Sequence, residues 1–343
     1  MKIKINEKIL TILFFLYWLI MSGVKAVGLQ EGQRLYTLGL AVAFACIGMK
    51  LFLENKTWME WGVVVILLCL ALIIYHESGE IAPLLYMTLV VGMKGINEKD
   101  VFLSGVVLWS ICFVIKMFLA LLGIREGFIL VHEKLGLGPL IRHNFDYTHP
   151  NVLQITYGFI TIGILFLLQR EGKELVKCIM CIMVGNVLVF FYSLSYTGLL
   201  SNTFAYIVFL YLLRKKNICV FEKIMQVGCY LVILIFTIGL PILTLENAPL
   251  RQYVEIINDL LHGRLIMSQI ALESGISLFG KPANVVCWDG ALDCSYLQLL
   301  TLDGLIYFAI VITSILILLI RAIHLELLKM NLNLLDIRCF IKF

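Results

Sequence analysis

The chain has 343 residues, of which 61% are hydrophobic and 15% charged, and its formal net charge is +4. With a mean hydropathy of +0.97, this composition excludes an ordinary soluble globular protein, in which about 25% of residues are charged. It is typical of an integral membrane protein. The basic residues are spread over short loops and form no single basic face, so nucleic acid is not an expected partner.

Apolar blocks separated by short polar interruptions recur along nearly the whole chain. A membrane-spanning helix needs about 20 predominantly apolar residues. We therefore predict an all-α, polytopic membrane protein with a single transmembrane domain over residues 1–343 and about ten spans. The predicted spans are 9–28, 35–53, 60–76, 81–93, 101–123, 151–169, 175–192, 198–213, 227–244 and 303–320.

The distribution of Lys and Arg predicts which side of the membrane each loop faces, because cytoplasmic loops are enriched in these residues. With a cytoplasmic N-terminus, the inside segments hold 18 of them and the outside segments hold 8. We therefore predict a multi-pass protein of the cytoplasmic membrane, with a cytoplasmic amphipathic tail at 322–343. Lys116 lies within a span, where a charge is costly, so it is expected to find a partner inside the helix bundle.

Two predicted extracytoplasmic loops, 124–150 and 245–302, are much longer than a connection between helices requires. Long loops of this kind usually carry function. In the second loop, the apolar residues from Val254 to Leu265 follow helical spacing. This spacing predicts an amphipathic helix that lies against the membrane.

The first long loop ends in RHNFDYTHPN, which brings Arg142, His143, His149 and Asn151 to the start of a predicted helix. Pro150 suits the first turn of a helix, where its missing N–H costs nothing. Free N–H groups and the positive end of the helix dipole are expected to face outward beside these side chains. The segment predicts a site for a phosphate or diphosphate; the alternative is an interfacial cap with snorkelling Arg and His.

The second long loop contributes three stretches in a fixed order: HGRLIMSQIALESG, SLFGKP and LDCSYLQLLTLDG. Together with HPN in the first loop, they resemble the Wzy-type polysaccharide polymerases of the O-antigen polymerase and ligase superfamily, as found in Gram-positive capsule and exopolysaccharide loci. The resemblance covers most of the chain. The matching residues are Arg142, His149, Pro150, Asn151, Gly263, Arg264, Phe279, Gly280, Asp293, Ser295, Tyr296, Leu297 and Gly304.

The sequence departs from the family pattern at two places. The family often has an Arg in an S-R-T-like stretch, whereas this sequence reads SLSYTG with Tyr196. The resemblance therefore does not supply a third basic contact. Related chains also usually continue with further spans after the position of Gly304, whereas one predicted span and the tail follow here.

The resemblance implies transfer of a growing glycan from one undecaprenyl diphosphate to a sugar hydroxyl of another lipid-linked repeat unit, at the outer face of the membrane. The leaving diphosphate needs positive charge and N–H donors, and Arg suits it by bidentate geometry. Arg142 and Arg264 are the expected contacts. The predicted substrate-binding residues are Arg142, His143, Asn151, Arg264 and Tyr296.

The attacking hydroxyl needs a general base, either a neutral His or an ionised carboxylate. His149 is the first candidate, Asp293 the second and His262 the third. Each has a structural alternative: His262 could cap or kink a helix beside Gly263, and Asp293 could satisfy a backbone turn. The loops contain no D-x-D pair, so neither a metal ion nor another cofactor is expected.

Two other functions compete with the polymerase. A ligase of the same superfamily would hand finished glycan to a different acceptor and shares the donor chemistry. A transporter or flippase of lipid-linked sugars would instead place ionisable groups or broken helices at mid-membrane. The expected partners are undecaprenyl-diphosphate-linked glycan and membrane lipid, and a flippase and a chain-length regulator are further candidates.

Overall fold

The structure is a computed structural model that describes residues 7–124, 129–133, 139–168, 172–214, 220–246, 258, 263–286, 292 and 294–321. This part of the chain is mostly helical. Its helices are α1 (Glu7–Val27), α2 (Arg34–Leu53), α3 (Trp58–Ser78), α4 (Ala82–Gly92), α5 (Glu98–Leu121), α6 (Pro150–Leu168), α7 (Gly172–Ser193), α8 (Tyr196–Arg214), α9 (Val220–Glu246), α10 (Arg264–Glu273), α11 (Ala283–Val286), α12 (Ser295–Thr301) and α13 (Leu305–Arg321). Two strands are described, β1 (Ile129–Glu133) and β2 (Pro139–His143).

Each of the ten predicted spans coincides with a helix. Among the described residues, six helices are long and apolar enough to cross a membrane, namely α1, α2, α3, α5, α6 and α7. Three apolar segments are shorter: Ala82–Gly92, Val227–Leu243 and Leu305–Arg321. Apolar runs fold as helices in lipid because a helix satisfies the backbone N–H and C=O groups within the segment. The helical, membrane-spanning character is thus as predicted, whereas crossing by all ten helices stays a prediction.

Ordinary capping residues set several helix ends. At the start of α3, the Glu60 N–H donates to Thr57 Oγ1 across 3.3 Å, and the Thr57 N–H donates to Glu60 Oε2 across 2.7 Å. This capping box satisfies two N–H groups that the helix leaves open. Gly79 ends the same helix with a φ of 77°, a conformation that a glycine adopts without steric cost.

The chain divides into two compact units. Unit 1 comprises Met1–Asn55 and Leu89–Lys216, and unit 2 comprises Lys56–Thr88 and Asn217–Phe343. In unit 1, α1 packs on α2 and α5, α5 packs on α6, and α6, α7 and α8 pack on one another. In unit 2, α10 and α12 pack on α9. A single transmembrane domain stays a prediction, because compactness alone does not separate two domains from two bundles of one domain.

The first long loop contains a β-hairpin that the all-α prediction did not include. Strands β1 and β2 are antiparallel, with Leu130 opposite Arg142 and Val131 opposite Ile141. Successive side chains of a strand point to opposite faces, and Ile141 is exposed whereas Arg142 is buried. The hairpin therefore turns Arg142 away from the exposed face of the strand.

Candidate functional site

Arg142 is anchored at the C-terminal end of α7 and the first turn of α6. Its Nε donates to the backbone oxygen of Ser193 across 2.9 Å, and its Nη2 donates to Oδ1 of Asn151 across 2.8 Å. A positive charge is favourable beside the last carbonyls of a helix. The side chain is only 4% exposed, so the surrounding packing fixes its position.

The charge of Arg142 meets only neutral partners in the part of the chain that the structure describes, a carbonyl and an amide oxygen. Burial lowers the pKa of Arg142 from its ordinary value, yet a guanidinium stays charged in proteins. The two hydrogen bonds use two of the five N–H donors that it carries. Arg142 is therefore a cation held in a fixed position, with three N–H donors beyond its two hydrogen bonds.

His149 caps α6. Its Nδ1 accepts a hydrogen bond from the Asn151 N–H across 3.1 Å, and its backbone oxygen accepts from the Val152 N–H across 3.0 Å. Pro150 occupies the first helical position, as predicted. The expectation of free N–H groups at the start of α6 is wrong for Asn151 and Val152, because both N–H groups already bond to His149.

The tautomer of His149 follows from the same bond. A neutral imidazole that accepts at Nδ1 carries its proton on Nε2. In this state His149 is a hydrogen-bond donor at Nε2 and has no lone pair open for a second proton. Action as a general base thus requires the bond to Asn151 to break first.

Lys116 reaches the same loop from α5 and so finds the partner that the sequence did not identify. Its Nζ donates to the backbone oxygen of Asp146 across 3.2 Å and lies 4.2 Å from the centroid of the Tyr147 ring. The side chain is 6% exposed. A carbonyl and an aromatic face both stabilise an ammonium that is removed from water.

A strained turn lies between these two cations. The Tyr147 N–H donates to the Asn144 oxygen across 3.0 Å, and the two central residues are left-handed, with φ values of 45° for Phe145 and 64° for Asp146. That conformation costs residues other than glycine about 1–2 kcal/mol each. Packing offsets the cost, since Phe145 lies against the Tyr192 ring at a centroid distance of 5.0 Å. Strain of this kind concentrates at functional sites.

His143 and Asn144 lie at the start of this turn. His143 stacks on Phe145 at a centroid distance of 6.1 Å. Asn144 is 1% exposed and its Nδ2 donates to the Tyr147 oxygen, whereas its Oδ1 has no hydrogen-bond partner among the described residues. A buried polar atom without a partner is rare in proteins and calls for a donor. We call residues Arg142 to Asn151 the polar loop.

A network of buried polar side chains within the helix bundle holds one of the residues that contact the polar loop. The Ser193 Oγ donates to Gln154 Oε1 across 2.8 Å, and Gln154 Nε2 donates to Asn186 Oδ1 across 2.6 Å. Asn202 Nδ2 donates to the same Asn186 oxygen across 3.0 Å. The network joins α6, α7 and α8 and fixes Ser193, whose carbonyl holds Arg142. Sequence reasoning missed it, although amides within apolar spans are rare and could have served as the signal.

In unit 2, the glycines of the second-loop motifs meet. A Cβ on Gly304 would lie 2.3 Å from the Gly280 nitrogen, and both residues have positive φ. The Lys281 N–H donates to the Leu302 oxygen across 3.2 Å, and the Leu305 N–H donates to the Ser277 oxygen across 3.0 Å. The backbones of Phe279–Lys281 and Leu302–Gly304 thus pack tightly against each other before α13. Neither Gly280 nor Gly304 leaves room for a side chain.

The other predicted site residues fall in unit 2 or outside the described residues. Arg264 is the first residue of α10 and is exposed. Tyr296 is partly buried, and its ring centroid lies 6.2 Å from that of Tyr230. His262 and Asp293 lie outside the described residues. Arg142, His143, His149 and Asn151 all lie in unit 1, where Asn151 contacts both Arg142 and His149.

Asp303 is a titratable residue that sequence reasoning did not single out. It lies in the turn before α13, where burial and repulsion from Glu80 raise its pKa to about 7. A carboxyl with this pKa changes its charge near neutral pH, which is a property of many functional acids and bases. The sequence signal was weak, because the Asp of LDG looks like an ordinary turn residue.

No protein-family model matches the chain, and no curated protein or solved structure matches it either. The likeness to polysaccharide polymerases therefore rests on the sequence motifs.

Proposed function

We propose that this chain polymerises undecaprenyl-diphosphate-linked oligosaccharide repeat units into capsular or exopolysaccharide at the outer face of the cytoplasmic membrane. The observation that carries the proposal is the burial of Arg142 together with its hydrogen bonding. Arg142 is a buried guanidinium at one end of a membrane-spanning helix, it has neutral partners among the described residues, and it keeps donors for an anion. A diphosphate on a lipid carrier is an anion that reaches this depth.

The proposed reaction asks little acid catalysis of the protein. The bond between the anomeric carbon and the diphosphate oxygen breaks, and the diphosphate leaves with the electron pair. The acceptor hydroxyl oxygen forms the new bond, and its proton passes to a base. Arg142 stabilises the charge that develops on the leaving oxygen, an effect that is large where water is excluded.

The polar loop supplies the rest of the proposed donor site. Asn151 holds Arg142 through its side chain and lies in the first turn of α6, whose dipole favours an anion at this end. His143 is proposed to contact the diphosphate, and the orphan Oδ1 of Asn144 offers an acceptor for a hydroxyl. Arg264 and Tyr296, on the second long loop, are proposed to bind substrate as well.

His149 remains the first proposed general base, on the condition that its Nδ1 releases the Asn151 N–H when substrate binds. Asp293 and His262 are the second and third. Because His149 must first break its hydrogen bond with the Asn151 N–H, it would accept a proton only when substrate is bound. This coupling would limit hydrolysis of the lipid diphosphate when no acceptor is present.

The test is the length distribution of lipid-linked and surface glycan on a gel, in the native host that carries wild type or Arg264→Ala. Arg34→Ala is a matched control, because Arg34 is also an exposed Arg at the first position of a helix. Collapse of the ladder to single repeat units in Arg264→Ala alone supports the polymerase. Long polymer that stays on its lipid carrier supports the ligase. An unchanged ladder contradicts both catalytic roles for Arg264 and favours the transporter.

A further inference from the structure

A cavity of about 490 Å³ lies among α1, α5 and α6 in unit 1. Its walls include Trp18, Phe102, Trp109, Thr156 and Phe159, and they are almost entirely apolar. The volume falls within the range of about 300–1,000 Å³ that is usual for small-molecule sites. Since α1 and α6 both pack on α5, the cavity is a groove over α5, and we call it the α5 groove.

The walls of the α5 groove are fixed by hydrogen bonds and close helix packing. Trp18 Nε1 donates to Ser104 Oγ across 3.1 Å, and Trp109 Nε1 donates to Ser22 Oγ across 2.9 Å. Both indoles are therefore held in place between α1 and α5. A Cβ on Gly105 would lie 3.1 Å from the Trp18 ring, so the ring packs directly on the α5 backbone. The two indole walls of the groove are thus fixed parts of the folded bundle.

The depth of the groove relative to the polar loop follows from helix geometry. Trp109 lies seven residues before Lys116, whose Nζ contacts the polar loop; at 1.5 Å per residue this is about 10 Å along α5. Thr156 and Gly163 lie six and thirteen residues after Pro150, which is about 9 and 20 Å along α6. Measured along α5 and α6, the groove therefore begins about two helical turns from the polar loop.

We propose that the α5 groove binds the polyprenyl chain of the lipid-linked diphosphate whose headgroup lies at Arg142. The identity of the lipid rests on the proposed function. The occupant must carry a hydrocarbon chain for the apolar walls and an anionic head for a buried cation, with the head displaced from the start of the chain by about two helical turns along the bundle. A polyprenyl diphosphate has this arrangement of groups. The groove would hold the first isoprene units and so set the depth at which the diphosphate meets Arg142.

The experiment places a photoreactive benzoylphenylalanine at Phe159, which lines the groove, or at Phe204, which is the matched control. Both aromatic side chains are highly exposed on their helices, 77% for Phe159 and 69% for Phe204. They lie nine residues after Pro150 in α6 and eight residues after Tyr196 in α8. Exposure and distance from the start of the helix are therefore nearly equal, and a bulkier aromatic group at either position needs no repacking.

The full chain is reconstituted in phosphatidylglycerol vesicles with radiolabelled undecaprenyl diphosphate and irradiated. The expected result is about tenfold more label at position 159 than at 204, the ratio for a binding preference of one order of magnitude. Unlabelled undecaprenyl diphosphate should displace the label, whereas additional phosphatidylglycerol should not. Equal labelling at the two positions, or displacement by phosphatidylglycerol, would show that ordinary lipid fills the groove and would overturn the proposal.

This result separates the groove from the proposed function, because the probe carries no sugar and its capture needs no transfer. Strong labelling at 159 together with an unchanged glycan ladder in Arg264→Ala would support the groove and contradict the catalytic role. A collapsed ladder together with equal labelling would do the reverse. Arg142→Gln, checked for folding by thermal unfolding, should lower labelling at 159 if the headgroup lies at Arg142.

Discussion

The Nη2 of Arg142 donates to Oδ1 of Asn151 across 2.8 Å, and this single bond joins the β-hairpin of the first long loop to the start of α6. The acceptor is an amide, so the bond positions the guanidinium without neutralising it. A carboxylate at the same place would hold the same geometry and cancel the charge. Position and charge can therefore be separated experimentally at residue 151.

Asn151→Asp is expected to lower glycan polymerisation by about 100-fold, comparable to the loss of one donor that stabilises charge in the transition state. Thermal stability should be retained, because a carboxylate accepts the same hydrogen bond from Arg142. The measurement is the rate of repeat-unit transfer in proteoliposomes, with thermal unfolding followed in parallel. Asn97→Asp is the control, because Asn97 caps α5 and Asp caps a helix equally well. Normal polymerisation by Asn151→Asp would contradict an anion-binding role for Arg142.

The contact between Lys116 and its surroundings can be tested through two glycines. Gly28 and Gly32 have similar positive φ values, 85° and 88°, but a Cβ on Gly28 would lie 2.8 Å from Lys116 Nζ whereas a Cβ on Gly32 meets nothing within 4 Å. Gly32→Ala should cost only backbone strain, about 1 kcal/mol. Gly28→Ala should cost more and should also slow transfer, because it displaces Lys116 from the polar loop. Chemical unfolding in detergent measures the difference, and equal effects of the two substitutions would contradict it.

The raised pKa of Asp303 predicts that the stability of the chain depends on pH. Its pKa is about 7 in the folded chain, against 3.8 for an ordinary Asp, so the folded state binds the proton more tightly than the unfolded state does. Stability contributed by this group is therefore present at low pH and is lost as the pH rises from about 4 through about 7. In the part of the chain that the structure describes, the titratable groups that interact electrostatically with the carboxyl include Glu80 and, on α13, Tyr307.

Asp303→Asn should remove this part of the pH dependence, because an amide does not titrate. Thermal unfolding from pH 5 to pH 8 measures it: the midpoint of wild type should fall with rising pH, and the variant should fall less. Asp100→Asn, at an exposed position in the first turn of α5, should follow wild type. Identical slopes for Asp303→Asn and wild type would show that the pKa of Asp303 is not raised in the folded chain.

Local signals predicted much of the architecture. Hydropathy located the ten helices, and Pro150 placed the start of α6, because both depend on a few neighbouring residues. The cluster from Arg142 to Asn151 was also predictable, since its members lie within ten positions of one another. The hairpin was missed because two strands of five residues, Ile129–Glu133 and Pro139–His143, give too short an alternation to stand out between apolar spans.

Contacts between distant segments could not be read from the sequence. Lys116 donates a hydrogen bond to Asp146, which lies 30 residues away in the sequence, and Gln154 donates one to Asn186, which lies 32 residues away. Neither pair has a spacing that marks it, because the packing of whole helices decides which polar groups meet. The neutral surroundings of Arg142 are likewise a tertiary property, which is why the sequence predicted an anion site without showing how its cation is held.

The buried amide network predicts that Gln154 acts on the polar loop through Ser193. Gln154→Leu leaves the Ser193 hydroxyl without its acceptor and Asn186 with one donor fewer, and each such loss in a buried site costs about 1–3 kcal/mol. The variant should therefore be less stable, and it should bind lipid diphosphate more weakly because the carbonyl that holds Arg142 is no longer fixed. Gln154→Glu is the conservative control, since a neutral carboxyl both donates and accepts and should restore both properties. Affinity for undecaprenyl diphosphate and the unfolding midpoint are measured on the same preparations. A Gln154→Leu variant that loses stability but keeps full affinity would limit the network to a structural role.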